Sequence, residues 1–256
     1  MDLPHTLDRT ILIEAPRDLV FRYFTDNARW SAWWGAGSTI DARPGGRVFI
    51  RLPGAVEVTG EIVEVAPPTH IVFTYGFVSG KPIPPGTSRV SIRLETVERG
   101  TRVSLSHEFA DAAVRDEFVQ GWRYQLSLFA NVVADEVHGD VERIVDTWFA
   151  ALAETNEGDR QRALESVATP DVRMRDRFSC IDGLDELAHH VTAAQRFMPG
   201  MRLQKSGAVR HCQGTALADW TAVGPDGQPR GQGTNVFALG PDGRIESVTG
   251  FWSQTR

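Results

Sequence analysis

Apolar and polar residues alternate in short runs through the first hundred or so residues, and then the period changes. Seven segments, Arg9–Glu14, Thr39–Ala42, Arg47–Leu52, Val56–Val65, Ile71–Phe77, Ser88–Val97 and Arg102–Phe109, alternate as half-buried strands do. Pro44-Gly45-Gly46, Pro53-Gly54, Pro67-Pro68 and Arg99-Gly100 break them with turn chemistry. The links are short, which predicts an antiparallel meander. Pro16 opens a short helix bearing Val20, Phe21 and Phe24, and a second helical piece carries Trp30, Trp33 and Trp34. After Asp111, a natural cap, apolar residues recur every three or four positions from Val114 through Phe118 and Trp122 to Val137. A helix of that length can cover a curved sheet, and any gap left beneath it becomes an apolar cavity.

At Gly139-Asp140 the chain starts again. Glycine ends helices and aspartate opens them, so the pattern predicts two domains, residues 1–138 and 140–256. Val141, Ile144, Val145, Trp148 and Leu152 form an amphipathic stripe, and Asp159–Val167 reads as a second helix. Val172–Phe178 reads as one strand, with Met174, Asp176 and Phe178 on one face and Arg173, Arg175 and Arg177 on the other. A helix over Leu184–Phe197 follows. Four strands close the chain: Arg202–His211, Thr215–Val223, Gln232–Leu239 and Arg244–Ser253. Both halves are therefore α+β.

Composition narrows the function classes. The net charge of −6 divides evenly between the halves, and no basic stripe offers a footprint for nucleic acid or an anionic membrane. The opening residues MDLPHTLDRT lack the apolar core of a secretory signal, and no apolar run reaches membrane-spanning length. Cys180 and Cys212 are too few for a disulfide framework, and are expected as buried or half-buried thiols of a cytoplasmic protein. No phosphate loop, dinucleotide fingerprint or nucleophile elbow occurs, so no cofactor is expected. His189 and His190 diverge on a helix and His211-Cys212 on a strand, so no metal site is expected either.

RPGGRV (Arg43–Val48), GEIVEVAPPTHIVFTY (Gly60–Tyr75), TRVSLSHEF (Thr101–Phe109) and QGW (Gln120–Trp122) together resemble the START-like, or SRPBCC, superfamily, in the branch of the heat-shock-protein-90 ATPase activator. The resemblance implies a helix-grip fold around a hydrophobic ligand cavity. Trp30 and Trp34 then become candidate lining residues, as do Tyr75, Trp122 and His107, which shares a strand face with Val103 and Leu105. The alternative for each is ordinary core packing, and for His107 a satisfied buried hydrogen bond.

In the second half, VDTWFAAL (Val145–Leu152), ATPDVRMRD (Ala168–Asp176) and GTNVFALGPDGRIESVTGFW (Gly233–Trp252) resemble the SnoaL-like branch of the nuclear transport factor 2-like superfamily. That implies a cone-shaped α+β half-barrel with a pocket between sheet and helices. Its relatives include ketosteroid isomerases, polyketide cyclases and limonene epoxide hydrolases. Carried over residue by residue, the resemblance puts Asp176 where isomerase-like members hold a proton-accepting aspartate. It puts Asn235, in phase with Phe237 and Leu239, where they hold an oxyanion donor, and Trp148 where they hold a tyrosine. An amide can still donate to an oxyanion, and a carboxylate facing an apolar cavity can act as a base. For Asp176 the alternative is a surface carboxylate paired with Arg175 or Arg177.

The expected protein has two pockets for a small hydrophobic molecule. The second would perform cyclase- or isomerase-like proton transfer with Asp176 and Asn235 as catalytic groups, walled by Trp148, Met174, Phe178 and Phe237. A carrier or sensor without catalysis is the alternative, with the second domain serving for homodimerisation through the outer sheet face around Val236, Ala238, Thr249 and Phe251.

Overall fold

The computed structural model describes residues 2–253 and divides the chain into two compact units, Met1–Ala134 and Asp135–Arg256. The first unit holds one sheet of seven strands: β1 (His5–Ile13), β2 (Thr39–Ile40), β3 (Arg47–Leu52), β4 (Val56–Ala66), β5 (His70–Phe77), β6 (Ser88–Val97) and β7 (Gly100–Phe109). The order across the sheet is β1-β7-β6-β5-β4-β3-β2, all antiparallel. Two short helices, α1 (Arg17–Arg22) and α2 (Asn27–Trp34), connect β1 to β2, and Asp26 caps α2 by accepting from the Arg29 amide. The long helix α3 (Ala112–Val137) starts at Asp111, whose Oδ1 accepts the Ala113 amide at 2.7 Å.

Periodicity explains how these parts close. Along β5, Ile71, Phe73 and Tyr75 point inward, and along β6 Val90, Ile92 and Leu94 do the same, all buried. From above, α3 presents Trp122, Leu126, Phe129 and Val133. The turn after α1 and helix α2 fill the gap with Phe24, Trp30 and Trp33; the Phe24 and Phe129 rings lie 5.2 Å apart, and those of Trp33 and Phe129 4.8 Å. Each fully buried large side chain contributes about 1.5–3 kcal/mol.

In the second unit come α4 (Val141–Ala153), α5 (Glu157–Val167), β8 (Ala168–Arg175), β9 (Cys180–Asp182), α6 (Leu184–Phe197), β10 (Arg202–Cys212), β11 (Thr215–Val223), β12 (Pro229–Leu239) and β13 (Ile245–Trp252). Its sheet runs β10-β11-β12-β13-β8-β9, with β13 parallel to β8. The inner face of β11 carries Ala216, Ala218, Trp220 and Ala222, and Trp148 and Phe149 of α4 reach Phe237 on β12. Asn156 caps α5, and the buried Arg160 donates to the Glu154 carbonyl at the end of α4. Both units are mixed α+β: a helix-grip domain, then an open α+β half-barrel.

Three local expectations are corrected. Asp140 does not cap α4: its side chain makes no cap hydrogen bond and pairs with Arg143 at 3.2 Å instead. The single strand expected over Val172–Phe178 is a hairpin, with β8 ending at Arg175 and β9 beginning at Cys180. Cys180 and Cys212 are both exposed, because each stands on the outward phase of an edge strand. Among the described residues, no helix is long and apolar enough to cross a membrane.

Candidate functional site

Between α3 and the sheet, the first unit holds a solvent-open cavity of about 400 Å³. Trp34, Tyr75, Phe77, Phe118 and Trp122 form its aromatic walls, and Leu52, Pro53 and Pro82 lie around the rest of its lining. Gly121 on α3 also lines it, and a Cβ there would meet nothing within 4 Å. Glu117 is the lining's one charged side chain among the described residues.

Beside this space runs a closed chain of hydrogen bonds. Trp122 Nε1–H donates to His107 Nδ1 at 3.0 Å, so the ring proton sits on Nε2, which donates to Ser88 Oγ at 2.9 Å. Ser88 in turn donates to the Tyr75 carbonyl at 2.8 Å. Every polar atom in the chain is used. Burial pushes the His107 imidazole down to about 3, which keeps it neutral. Burial also raises the Tyr75 phenol above its ordinary value, and its hydroxyl makes no hydrogen bond among the described residues.

Trp34, Tyr75 and Trp122 thus stand in the cavity wall. Two expectations for the first unit fail. Trp30 is fully buried beneath the wall with its indole donating to the Phe49 carbonyl, and it lines no part of the cavity. His107 is likewise absent from the lining: it is fully buried, with both its nitrogens bonded to Trp122 and Ser88.

The second unit gathers polar groups at one corner of its sheet. Asn235 on β12 faces Gly250 across the β12–β13 ladder, and Trp220 Nε1–H donates to Asn235 Oδ1 at 2.9 Å. That bond commits the amide oxygen and leaves Nδ2–H as the donor. A Cβ on Gly250 would sit 2.9 Å from Asp176 Cβ and 3.2 Å from Asn235 Oδ1, so the glycine holds both side chains at one point. Trp252 stands over Trp220, their rings 4.7 Å apart. A Cβ on Gly233 would come within 2.4 Å of the Trp220 ring, so this packing requires glycine there too.

Asp176 itself lies half-buried in the turn after β8, its Oδ1 accepting the Phe178 amide at 2.7 Å. It pairs with neither neighbouring arginine: Arg175 goes to Asp182, and Arg177 lies over the Phe178 ring. Phe178 corrects the expectation of a pocket wall, since the turn swings it out to 68% exposure against the edge of Trp252. Trp148, Met174 and Phe237 are buried members of the second unit's hydrophobic core. Sequence reasoning missed Trp220 and Trp252, and also the Ser179 hydroxyl held 3.1 Å from His190 Nε2. Two tryptophans and an asparagine on adjacent strands in inward phase were the available signal. Among the described residues, no group of three or more His, Cys, Asp or Glu is arranged to hold a metal.

Residues 14–134 match the family model described as Activator of Hsp90 ATPase homolog 1-like protein. The first unit is a domain of this family. The second unit has the element order of the SnoaL-like fold. Among solved structures, the chain is similar to a protein of the SnoaL-like family from Agrobacterium tumefaciens, at 26% identity over 46% of this chain and 99% of that one, with a TM-score of 0.43. It is similar to CalU16 from Micromonospora echinospora at 26% identity, covering 49% of this chain and 74% of that one, with a TM-score of 0.38. The Aha1 dimer from Colwellia psychrerythraea is 18% identical over 48% of this chain and 90% of that one, with a TM-score of 0.41. No curated protein matches the chain.

Proposed function

We propose that this protein binds a small hydrophobic molecule in the cavity of the activator-homologue domain. The observation that carries the reading is the aromatic cavity of about 400 Å³, with Gly121 leaving open space in its wall. A volume in this range, mostly apolar with few polar groups, is what small-molecule sites share. The test uses the neutral dye Nile red with the full chain and with Gly121→Phe, whose ring would project from α3 into the cavity. Saturable binding by the native chain, lost in a folded Gly121→Phe, supports the site. Equal binding by both removes it.

A second reading concerns the corner of the second unit, and one observation favours it: Gly250 brings Asp176 and Asn235 together while Trp220 fixes the amide as a donor. In this reading Asp176 accepts a proton from carbon next to a carbonyl, and Asn235 Nδ2–H holds the developing enolate oxygen. Asp176→Asn should abolish deuterium exchange into a ketone substrate. Exchange that survives this change would end the proposal. The exposed, unpaired Cys180 and Cys212 suit a reducing cytoplasm, and the exposed Phe251 on the outer face of β13 suits a homodimer, which mass in solution tests.

A further inference from the structure

The sign of the charge that the cavity favours follows from its walls; this inference rests on the cavity-binding reading above. Six aromatic residues stand in the lining: Trp34, Tyr75, Phe77, Phe118, Trp122 and Tyr124. Several of their rings are steeply inclined to one another. Tyr75 meets Phe77 at 89° and Phe118 at 83°, and Trp34 meets Trp122 at 74°. Such angles turn ring faces in different directions, as in an aromatic cage, and each face carries negative potential that attracts a cation.

The polar groups of the lining point the same way. The Trp34 nitrogen is sealed within the wall, and the Trp122 N–H is committed to His107. Gln125 donates its amide nitrogen to the Trp33 carbonyl, which leaves Oε1 as an acceptor. The hydroxyls of Tyr75 and Tyr124 can donate or accept. Glu117 supplies a carboxylate, and no lysine, arginine or histidine stands in the lining among the described residues. The groups of fixed sign are therefore the carboxylate, the amide oxygen and the ring faces, and all three are negative.

Their placement along α3 is ordered. Glu117, Gly121 and Gln125 recur every fourth residue on one helix face; Glu117 is exposed and Gln125 buried, so the strip runs from the mouth inward. Gly121 puts no side chain between the carboxylate and the amide. Glu117 has no ion pair among the described residues, and Arg115 beside it is taken by Asp116. We propose that the cavity takes an organic cation, an amine or quaternary ammonium bearing apolar groups, with its charge held between the ring faces and the Glu117 carboxylate.

Three compounds of similar shape test this: benzyltrimethylammonium, its uncharged carbon counterpart neopentylbenzene, and the anion phenylmethanesulfonate. Each is titrated against the full chain by its displacement of Nile red. The ammonium is expected to bind about tenfold or more tighter than the sulfonate, and no more weakly than the neutral compound. In Glu117→Gln the ammonium should weaken about threefold while the neutral compound holds its affinity. Glu117 is exposed, and an unchanged unfolding midpoint establishes that the variant folds. Where Nile red binds, an ammonium that fails to displace it, that is no tighter than the sulfonate, or that is weaker than the neutral compound overturns the cation assignment and leaves cavity binding intact. A preference that Glu117→Gln leaves untouched overturns the assignment as well. A native chain that binds no Nile red overturns both the cavity reading and this inference.

Discussion

Three of the four tryptophans in the first unit donate their indole hydrogen to a partner: Trp30 to Phe49, Trp33 to Tyr23 and Trp122 to His107. The fourth, Trp34, lines the cavity. In the second unit only Trp220 donates, to Asn235, while Trp148 and Trp252 have no acceptor among the described residues. Each such orphan costs about 1–3 kcal/mol. Among its indoles, the first unit leaves one N–H unmet, at Trp34, and it leaves the buried Nε atoms of Arg9 and Arg17 unmet as well. The second leaves two indoles unmet, Trp148 in the packed core and Trp252 at the corner where Asp176 meets Asn235, together with buried polar atoms of His138, Arg160 and Thr169. One region holds an aromatic-lined pocket, and the other places a carboxylate beside an oriented amide.

The largest break in this comparison should come from the aromatic wedge under the cavity. Trp30→Ala removes a fully buried ring and a hydrogen bond, and should cost about 3–5 kcal/mol in denaturant unfolding of the first unit. Next is pH. The unfolded chain protonates His107 near its ordinary value of about 6.5, but the folded imidazole resists down to about 3. Stability is therefore full above about pH 6.5 and falls as pH drops through that window, by roughly 2–3 kcal/mol at pH 4.5 from this group alone. His138 in the second unit, lowered to about 4 by burial and then by His211, adds a loss of the same sign. Unfolding midpoints from pH 7 to 4.5 check both.

Gly250→Ala probes the second unit's corner. Its Cβ would press on Asp176 and Asn235, so the variant should lose about 1–3 kcal/mol and any exchange activity together. Asp176→Asn sharpens the contrast, since an amide oxygen can still accept from Phe178: stability should move by no more than about 0.5 kcal/mol while exchange disappears. At the cavity wall itself the sign of the effect reverses. Gly121→Ala adds a methyl where nothing lies within 4 Å and removes a mid-helix glycine, so it should stabilise by about 0.5–1 kcal/mol.

The strands of the first unit were legible because alternation is strict and proline or glycine marks nearly every turn. Its long helix was legible for the same reason, with Asp111 as its cap. The β8–β9 hairpin was not, since Arg173, Arg175 and Arg177 continue the alternation past the end of β8 and no glycine or proline marks the turn. Phe178 was misplaced with it. Trp30 and Trp34 show the limit for sites. They lie four residues apart on one short helix, and only tertiary packing separates the ring that is core from the ring that lines a cavity. His107 is similar: its inward direction could be read from strand phase, but its partners Ser88 and Trp122 come from other elements.

The most direct test of the central claim is the indole region of a ¹H–¹⁵N spectrum of the full chain, recorded with and without saturating Nile red. The resonances of Trp34 and Trp122, whose rings line the cavity, should move. Trp30 and Trp33, already bonded to carbonyls, should move little, and Trp148, Trp220 and Trp252 should stay in place. A spectrum in which Trp34 is unmoved and the shifts fall on Trp220 and Trp252 would contradict the account and transfer the ligand to the second unit.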